Sequence, residues 1–172
     1  SRPNKGTHEL MDAKWPELKV VPFIRPYRVR SDMQTWFNDP AIFELIRTEY
    51  ARGYYRGIGE FHIYGKSAET EWVRKMVNFA VERNLYLHAH CDEEALLILF
   101  SHNPKARIIW AHTGFAVAPV RVAELLDQVK RVCDEEDRLV APAEFRELVE
   151  ALVREPLVAD REHFVDEQHF RI

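Results

Sequence analysis

The chain has 172 residues, a length typical of one domain or two. It carries 24 basic and 28 acidic side chains, a net charge of −4, and 47% of its residues are hydrophobic. This composition excludes a disordered or collagen-like chain, and we expect no nucleic-acid partner because such binders carry a strong positive excess. The longest apolar run, 95–100, is too short for a membrane span. Two cysteines make no disulfide framework, so the expected compartment is a reducing cytoplasm.

In chain order, the polar residues 1–6 are predicted as a loop. Four short apolar segments come next, and each is followed by a helical pattern. The predicted strands are 20–25, 56–63, 85–90 and 107–112. The predicted helices run from Asp39-Pro40 to Gly53, over 67–83, through 95–100 and over 117–134. Strands that alternate with helices predict a parallel sheet with crossover helices, hence an α/β fold.

The charge balance changes near residue 127. Residues 1–126 hold 17 basic and 15 acidic side chains, whereas 127–172 hold 7 and 13. An amphipathic helix is predicted over 142–155 and a short strand at 157–159. We therefore divide the chain into a domain over 1–126 and an acidic, helical C-terminal segment over 127–172.

Ionisable side chains occur near the carboxyl ends of the last three predicted strands. Residues two apart in a strand share a face. This alternation predicts three sets of residues that each face one way: Ile58, Glu60 and His62; Tyr86, His88 and His90; Ile108, Trp110 and His112. Sites in parallel α/β folds lie at these strand ends, and imidazoles with a carboxylate match a divalent metal site. A lone strand-end histidine is more often structural, so a site without metal stays open.

Four motifs resemble those of TatD-type and amidohydrolase-related hydrolases, which depend on metal ions and fold as TIM barrels. Gly57–Gly65 (GIGEFHIYG) resembles their Gly-Glu strand, and His90–Ala95 (HCDEEA) their His-x-x-Glu/Asp step. Trp110–Phe115 (WAHTGF) is similar to their Ala-His-x-Gly strand end. VPFIRPYR at 21–28, with WFNDP at 36–40, is closest to the amidohydrolase-related group. The resemblance covers about residues 1–126, the middle of such a barrel.

This resemblance implies a partial (β/α)8 barrel with one or two divalent metal ions at its mouth, zinc first and manganese or nickel as alternatives. It makes Glu60 a ligand or bridging carboxylate with a catalytic role, and His90 and His112 the ligands of the next strands, with His88 as the fallback for His90. Asp160, in LVAD, is the candidate for the catalytic aspartate of the last strand.

Two further residues are candidates for substrate binding. Arg25 follows the first strand and would orient a carboxylate or phosphate, or else pair with Asp32 or Asp39 in a solvated loop. His62 shares the predicted face of Glu60, and a plain structural role is equally open.

The resulting hypothesis is a metal-dependent hydrolase that acts on an amide or ester bond of a small molecule. A non-catalytic partial barrel that binds metal or serves assembly is the alternative, and a flavodoxin-like domain without metal is the third. A homodimer or a longer gene product would complete a barrel that has only four predicted strands.

Overall fold

The computed structural model describes residues 4–13, 17, 19–112, 114 and 117–134. Its α-helices and strands are α1 (Lys5–Ala13), β1 (Phe23–Ile24), α2 (Pro40–Tyr50), β2 (Gly57–Ile63), α3 (Glu71–Glu82), β3 (Tyr86–Cys91), α4 (Glu93–His102), β4 (Arg107–Trp110) and α5 (Pro119–Asp134). Short 3-10 helices lie at Arg30–Gln34, Trp36–Asn38 and Gly65–Glu69. Helix α1 begins inside the stretch predicted as a loop. The predicted elements at 142–155 and 157–159 lie outside the described residues, as does Asp160.

Side-chain caps fix where the crossover helices begin. Asp39 accepts a hydrogen bond from the Ala41 N–H ahead of α2, which has proline at its first position. Thr70 accepts from the Val73 N–H at α3, and Asp92 accepts from the Ala95 N–H at α4. Each cap satisfies a donor that the first turn of a helix leaves unpaired. These caps set how far each strand end lies from the helix that follows it.

The four strands form one parallel sheet in the order β1-β2-β3-β4. The predicted α/β fold with crossover helices is therefore confirmed for the described part of the chain. Each strand lies beside the next in sequence, unlike the flavodoxin-like order 2-1-3-4-5. A run of right-handed crossovers in one direction places its helices on one face of the sheet.

The two faces of the sheet differ in burial. On β3, Leu87, Ala89 and Cys91 are fully buried, whereas Tyr86 on the opposite face is 40% exposed. The buried face meets aliphatic residues of α2, α3 and α4, which form the core. This core contains Ile42, Ile46, Ile58, Phe61, Ile63, Val73, Met76, Val77, Leu87 and Leu99. Full burial of one such side chain stabilises the fold by about 1.5–3 kcal/mol.

The predicted division after residue 126 falls within α5, and residues 135–172 lie outside the described part, so the division stays a prediction. Among the described residues, no helix combines the length and the apolar character needed to cross a membrane.

Candidate metal centre

A β-bulge in β2 directs Glu60 into the candidate site. Gly59 pairs with His88 and Phe61 pairs with Ala89, so Glu60 is an extra residue that has no partner on β3. The ladder then resumes with His62 opposite His90. One inserted residue shifts the alternation of faces beyond it. The prediction that Ile58 shares a face with His62 is therefore wrong: Ile58 pairs with buried Leu87, and His62 lies on the other face.

Glu60 and three imidazoles converge at the carboxyl ends of β2, β3 and β4. The Oε1 atom of Glu60 lies 2.8 Å from Nδ1 of His90 and 3.6 Å from Nε2 of His112. Ligand atoms of Glu60, His62 and His90 all lie within 4.8 Å of one another. The His90 ring centroid is 4.2 Å from that of His62 and 5.1 Å from that of His112. The structure thus brings together four of the residues that the sequence singles out.

His112 reaches this cluster through a turn. Trp110 pairs with Ala89, on the face that packs against the helices, and its indole N–H donates to the Cys91 carbonyl at 2.8 Å. The prediction that Trp110 and His112 face one way is wrong, because β4 ends at Trp110 and the strand alternation does not extend to His112. His112 follows with a φ of 55°, in the left-handed region, and its ring lies beside Glu60 and His90.

His88 and Arg25 lie at the margins of the cluster. His88 pairs with Gly59, one layer below His90, and its ring lies 6.1 Å from that of Phe23. Arg25 is exposed just after β1, with its guanidinium 5.5 Å from the Tyr27 ring centroid.

The loop ion pairs foreseen for Arg25 are made by another arginine. Arg28 is bonded to both Asp32 and Asp39. Among the described residues, no ion pair of Arg25 is found.

The electrostatics of the cluster keep Glu60 ionised. Burial on its own raises the Glu60 pKa, but the hydrogen bond with His90 and the positive potential of His88, His90 and His62 outweigh it, so the pKa lies below its usual value. Burial lowers the pKa of His62, and the neighbouring His90 lowers it further. An ionised carboxylate beside a neutral imidazole is a combination that attracts a cation.

Two buried aromatic residues that the site predictions omit hold His62. The Tyr27 hydroxyl oxygen accepts the backbone N–H of His62 at 2.7 Å and lies 3.2 Å from the ring Nδ1. The indole N–H of Trp36 donates to the backbone carbonyl of His62 at 2.8 Å. Both residues belong to the segment after β1, and the only signal in the sequence is the presence of aromatic residues in an otherwise polar loop.

A second polar contact joins the loops after β2 and β3. Asp92 caps α4 and also accepts the Gly65 N–H with both carboxylate oxygens, at 3.0 and 3.1 Å. The preceding residue, Tyr64, is half exposed, and its ring lies nearly perpendicular to that of His90, with 6.3 Å between the ring centroids.

The donor set fits a divalent cation of the zinc type. Imidazole nitrogens and a carboxylate oxygen are the ligands of zinc, and they also suit manganese and nickel. Ligand atoms around a tetrahedral zinc lie about 3.3 Å apart, because each bond is about 2 Å long. The 3.6 Å between Glu60 Oε1 and His112 Nε2 is close to this value, whereas the 2.8 Å between Glu60 Oε1 and His90 Nδ1 is a hydrogen bond. The side chains of Glu60 and His112 are 35% and 61% exposed, so the cluster is open to solvent.

Comparisons of this chain with protein-family models, with curated proteins and with solved structures find no match.

Proposed function

We propose that this chain is a metal-dependent hydrolase of the amidohydrolase-like class, which uses metal-activated water on an amide or ester bond of a small molecule. The observation that carries the proposal is the meeting of Glu60, His62, His90 and His112 at the carboxyl ends of adjacent parallel strands. This is the edge of an α/β sheet where active sites are built.

The side chains have separate tasks in this proposal. His62, His90 and His112 hold the cation through ring nitrogens, and Glu60 contributes a carboxylate that stays ionised at neutral pH because its pKa is lowered. A bound divalent cation supplies a water of lowered pKa and polarises the scissile carbonyl. Zinc is the cation we expect, with manganese or nickel as alternatives.

In this proposal, Arg25 orients the substrate. Its guanidinium is exposed beyond the end of β1, where it would bind a carboxylate or phosphate of the substrate. Asp160 stays our candidate for the second catalytic carboxylate, and a full (β/α)8 barrel, completed by a homodimer or by further chain, stays our proposal for the architecture. We further propose a cytoplasmic location, consistent with the free, buried thiol of Cys91.

One observation favours the alternative, a metal-binding or assembly module without catalysis. Within the described residues, the candidate group contains a single carboxylate, Glu60, and His90 already occupies one of its oxygens through a hydrogen bond. Proton transfer from water needs a base within hydrogen-bond reach. A chain that binds a cation tightly and hydrolyses no test substrate would have this second function.

Metal analysis and a substrate panel test the proposal together. We expect purified protein reconstituted with zinc to hold about one equivalent, and His90→Gln to lose most of it. His102→Gln is the matched control, because His102 bonds the Ala68 carbonyl away from the cluster. Hydrolysis of small carboxylate-bearing amides and esters should depend on the added metal. Metal content of less than about a tenth of an equivalent in the wild type would refute the proposal.

A further inference from the structure

The strand ladder beside β2 stops before it reaches the metal centre. Strand β1 pairs with β2 only at Phe23 and Ile24. The backbone of Arg25 turns instead to Asn4: its N–H donates to Oδ1 at 2.9 Å, and its carbonyl accepts from Nδ2 at 3.3 Å. Pro26 comes next and has no N–H to offer. In the part of the chain that the structure describes, the edge of β2 at His62 therefore has no backbone partner on this side.

Side chains replace the missing ladder at His62. Tyr27 accepts the His62 N–H, and Trp36 donates to the His62 carbonyl. Both aromatic side chains are almost fully buried, at 3% and 2% exposure. Buried backbone groups need such partners, and these two partners are rigid because packing surrounds them.

The Tyr27 hydroxyl makes a second contact that involves the imidazole itself. It lies 3.2 Å from Nδ1, so one oxygen contacts both the main chain and the ring of His62. A metal-bound histidine uses one ring nitrogen for the metal, and the other nitrogen is held by a hydrogen bond that fixes the ring. At His62 that second nitrogen is Nδ1.

We propose that Tyr27 is a positioning residue of the metal centre, which occupies Nδ1 of His62 and so selects Nε2 as the nitrogen that binds the cation. The inference rests on the proposed function for the presence of the cation. The contact of Tyr27 with His62 is itself observed in the structure. With a cation bound, Nδ1–H would donate to the Tyr27 oxygen and Nε2 would be left to bind the cation; rotation of the ring would break the Nδ1 contact, while the backbone N–H of His62 keeps the Tyr27 oxygen in place.

The first test is direct and uses the wild-type chain with isotope-labelled histidine. In the cation-free protein, the Nδ1 resonance of His62 should have the shift of a hydrogen-bonded nitrogen. After cadmium is added as a spectroscopic probe, the scalar coupling to the metal should appear at Nε2 of His62. Coupling at Nδ1 would overturn the proposal.

The second test compares Tyr27→Phe with Tyr55→Phe by calorimetric titration of zinc. Tyr55 is an equally buried tyrosine whose hydroxyl donates to Glu49 at 3.0 Å, so its variant controls for the general effect of losing a buried hydroxyl. We expect Tyr27→Phe to weaken zinc binding by about 10–100-fold, the usual effect of removing such a partner. Tyr55→Phe should stay within about twofold of the wild type.

The two tests separate the proposals. If the wild type binds no cation, the proposed function fails. The positioning role is then decided by the cation-free spectrum, where Tyr27→Phe must shift the Nδ1 resonance of His62 and Tyr55→Phe must not. Equal spectra, or equal zinc affinities in the two variants, would overturn the role of Tyr27.

Discussion

Replacing Gly59 by alanine should damage both the fold and the metal centre. Gly59 has a φ of 138°, and a Cβ there would lie 2.4 Å from the carbonyl oxygen and 2.7 Å from the Cβ of His88. The unfavourable backbone conformation costs about 1–3 kcal/mol for an L-residue. Forcing a methyl group against the packed β3 strand adds about 1–3 kcal/mol. The sum, about 2–6 kcal/mol, is a large part of the free energy of unfolding of a typical domain, about 5–15 kcal/mol.

The matched control is Gly53→Ala. Gly53 also has a positive φ, 83°, but a Cβ there meets nothing within 4 Å. Only the backbone term applies, about 1–2 kcal/mol. Urea unfolding of both variants should therefore show Gly59→Ala as the less stable by at least about 1 kcal/mol. Zinc affinity should fall only in Gly59→Ala, since a β3 strand displaced at His88 no longer sets the bulge that directs Glu60. Equal destabilisation of the two variants would refute the steric reasoning.

Three further predictions concern the scaffold. Asp32→Asn should lower the free energy of unfolding by about 1–3 kcal/mol, because its carboxylate accepts the Arg28 N–H and binds the Arg28 guanidinium. Those bonds lower the Asp32 pKa. The difference in free energy of unfolding between wild type and variant, measured in urea, should therefore be complete above about pH 4 and shrink as the pH falls through the folded-state pKa. A difference that grows toward acid pH would contradict this. Phe61→Ala should destabilise by about 3–5 kcal/mol in thermal unfolding, because Phe61 is fully buried, and a loss below about 1 kcal/mol would contradict its place in the core. Burial raises the pKa of Cys91 to about 12, so in a Cys133→Ser background its thiol should react with Ellman's reagent only after unfolding, and rapid labelling of the native protein would show the thiol to be accessible.

The sequence predicts the order and type of the main elements well. The N-cap at Asp39, the proline after it and the helical spacing over 67–83 are local signals, and the structure places helices there. β1 begins later and ends one residue earlier than predicted; it ends at Ile24 because the backbone of Arg25 bonds to Asn4, 21 positions away in the chain, a contact that no local pattern reveals.

Alternation along the strands predicts the residues of the site but not the backbone geometry that brings them together. Strict alternation along β2 predicts one face for Ile58, Glu60 and His62, but Ile58 is buried opposite Leu87, and the bulge at Glu60 is what brings His62 to the face of His90. A bulge inserts a single residue, and the sequence gives no signal for it here apart from the glycine that precedes Glu60. The same limit applies to His112, whose place beside Glu60 depends on its own left-handed backbone conformation just after β4. No periodic signal reveals the roles of Tyr27 and Trp36, because each side chain replaces a backbone partner of His62.

The two faces of the sheet differ in burial, and this difference explains why the fold tolerates such a polar cluster. Ile58, Phe61 and Leu87, on the face under the helices, are fully buried and supply hydrophobic stabilisation. The cluster lies on the opposite face at the strand ends, where Glu60 and His112 stay in contact with solvent and lose less hydration than a buried group would. Within it, the pKa values of Glu60 and His62 are both lowered, which favours a carboxylate and a neutral imidazole, the groups that a divalent cation binds. Binding such a cation should stabilise the fold by mass action. If zinc raised the melting temperature of His90→Gln as much as that of the wild type, the cation would be binding elsewhere.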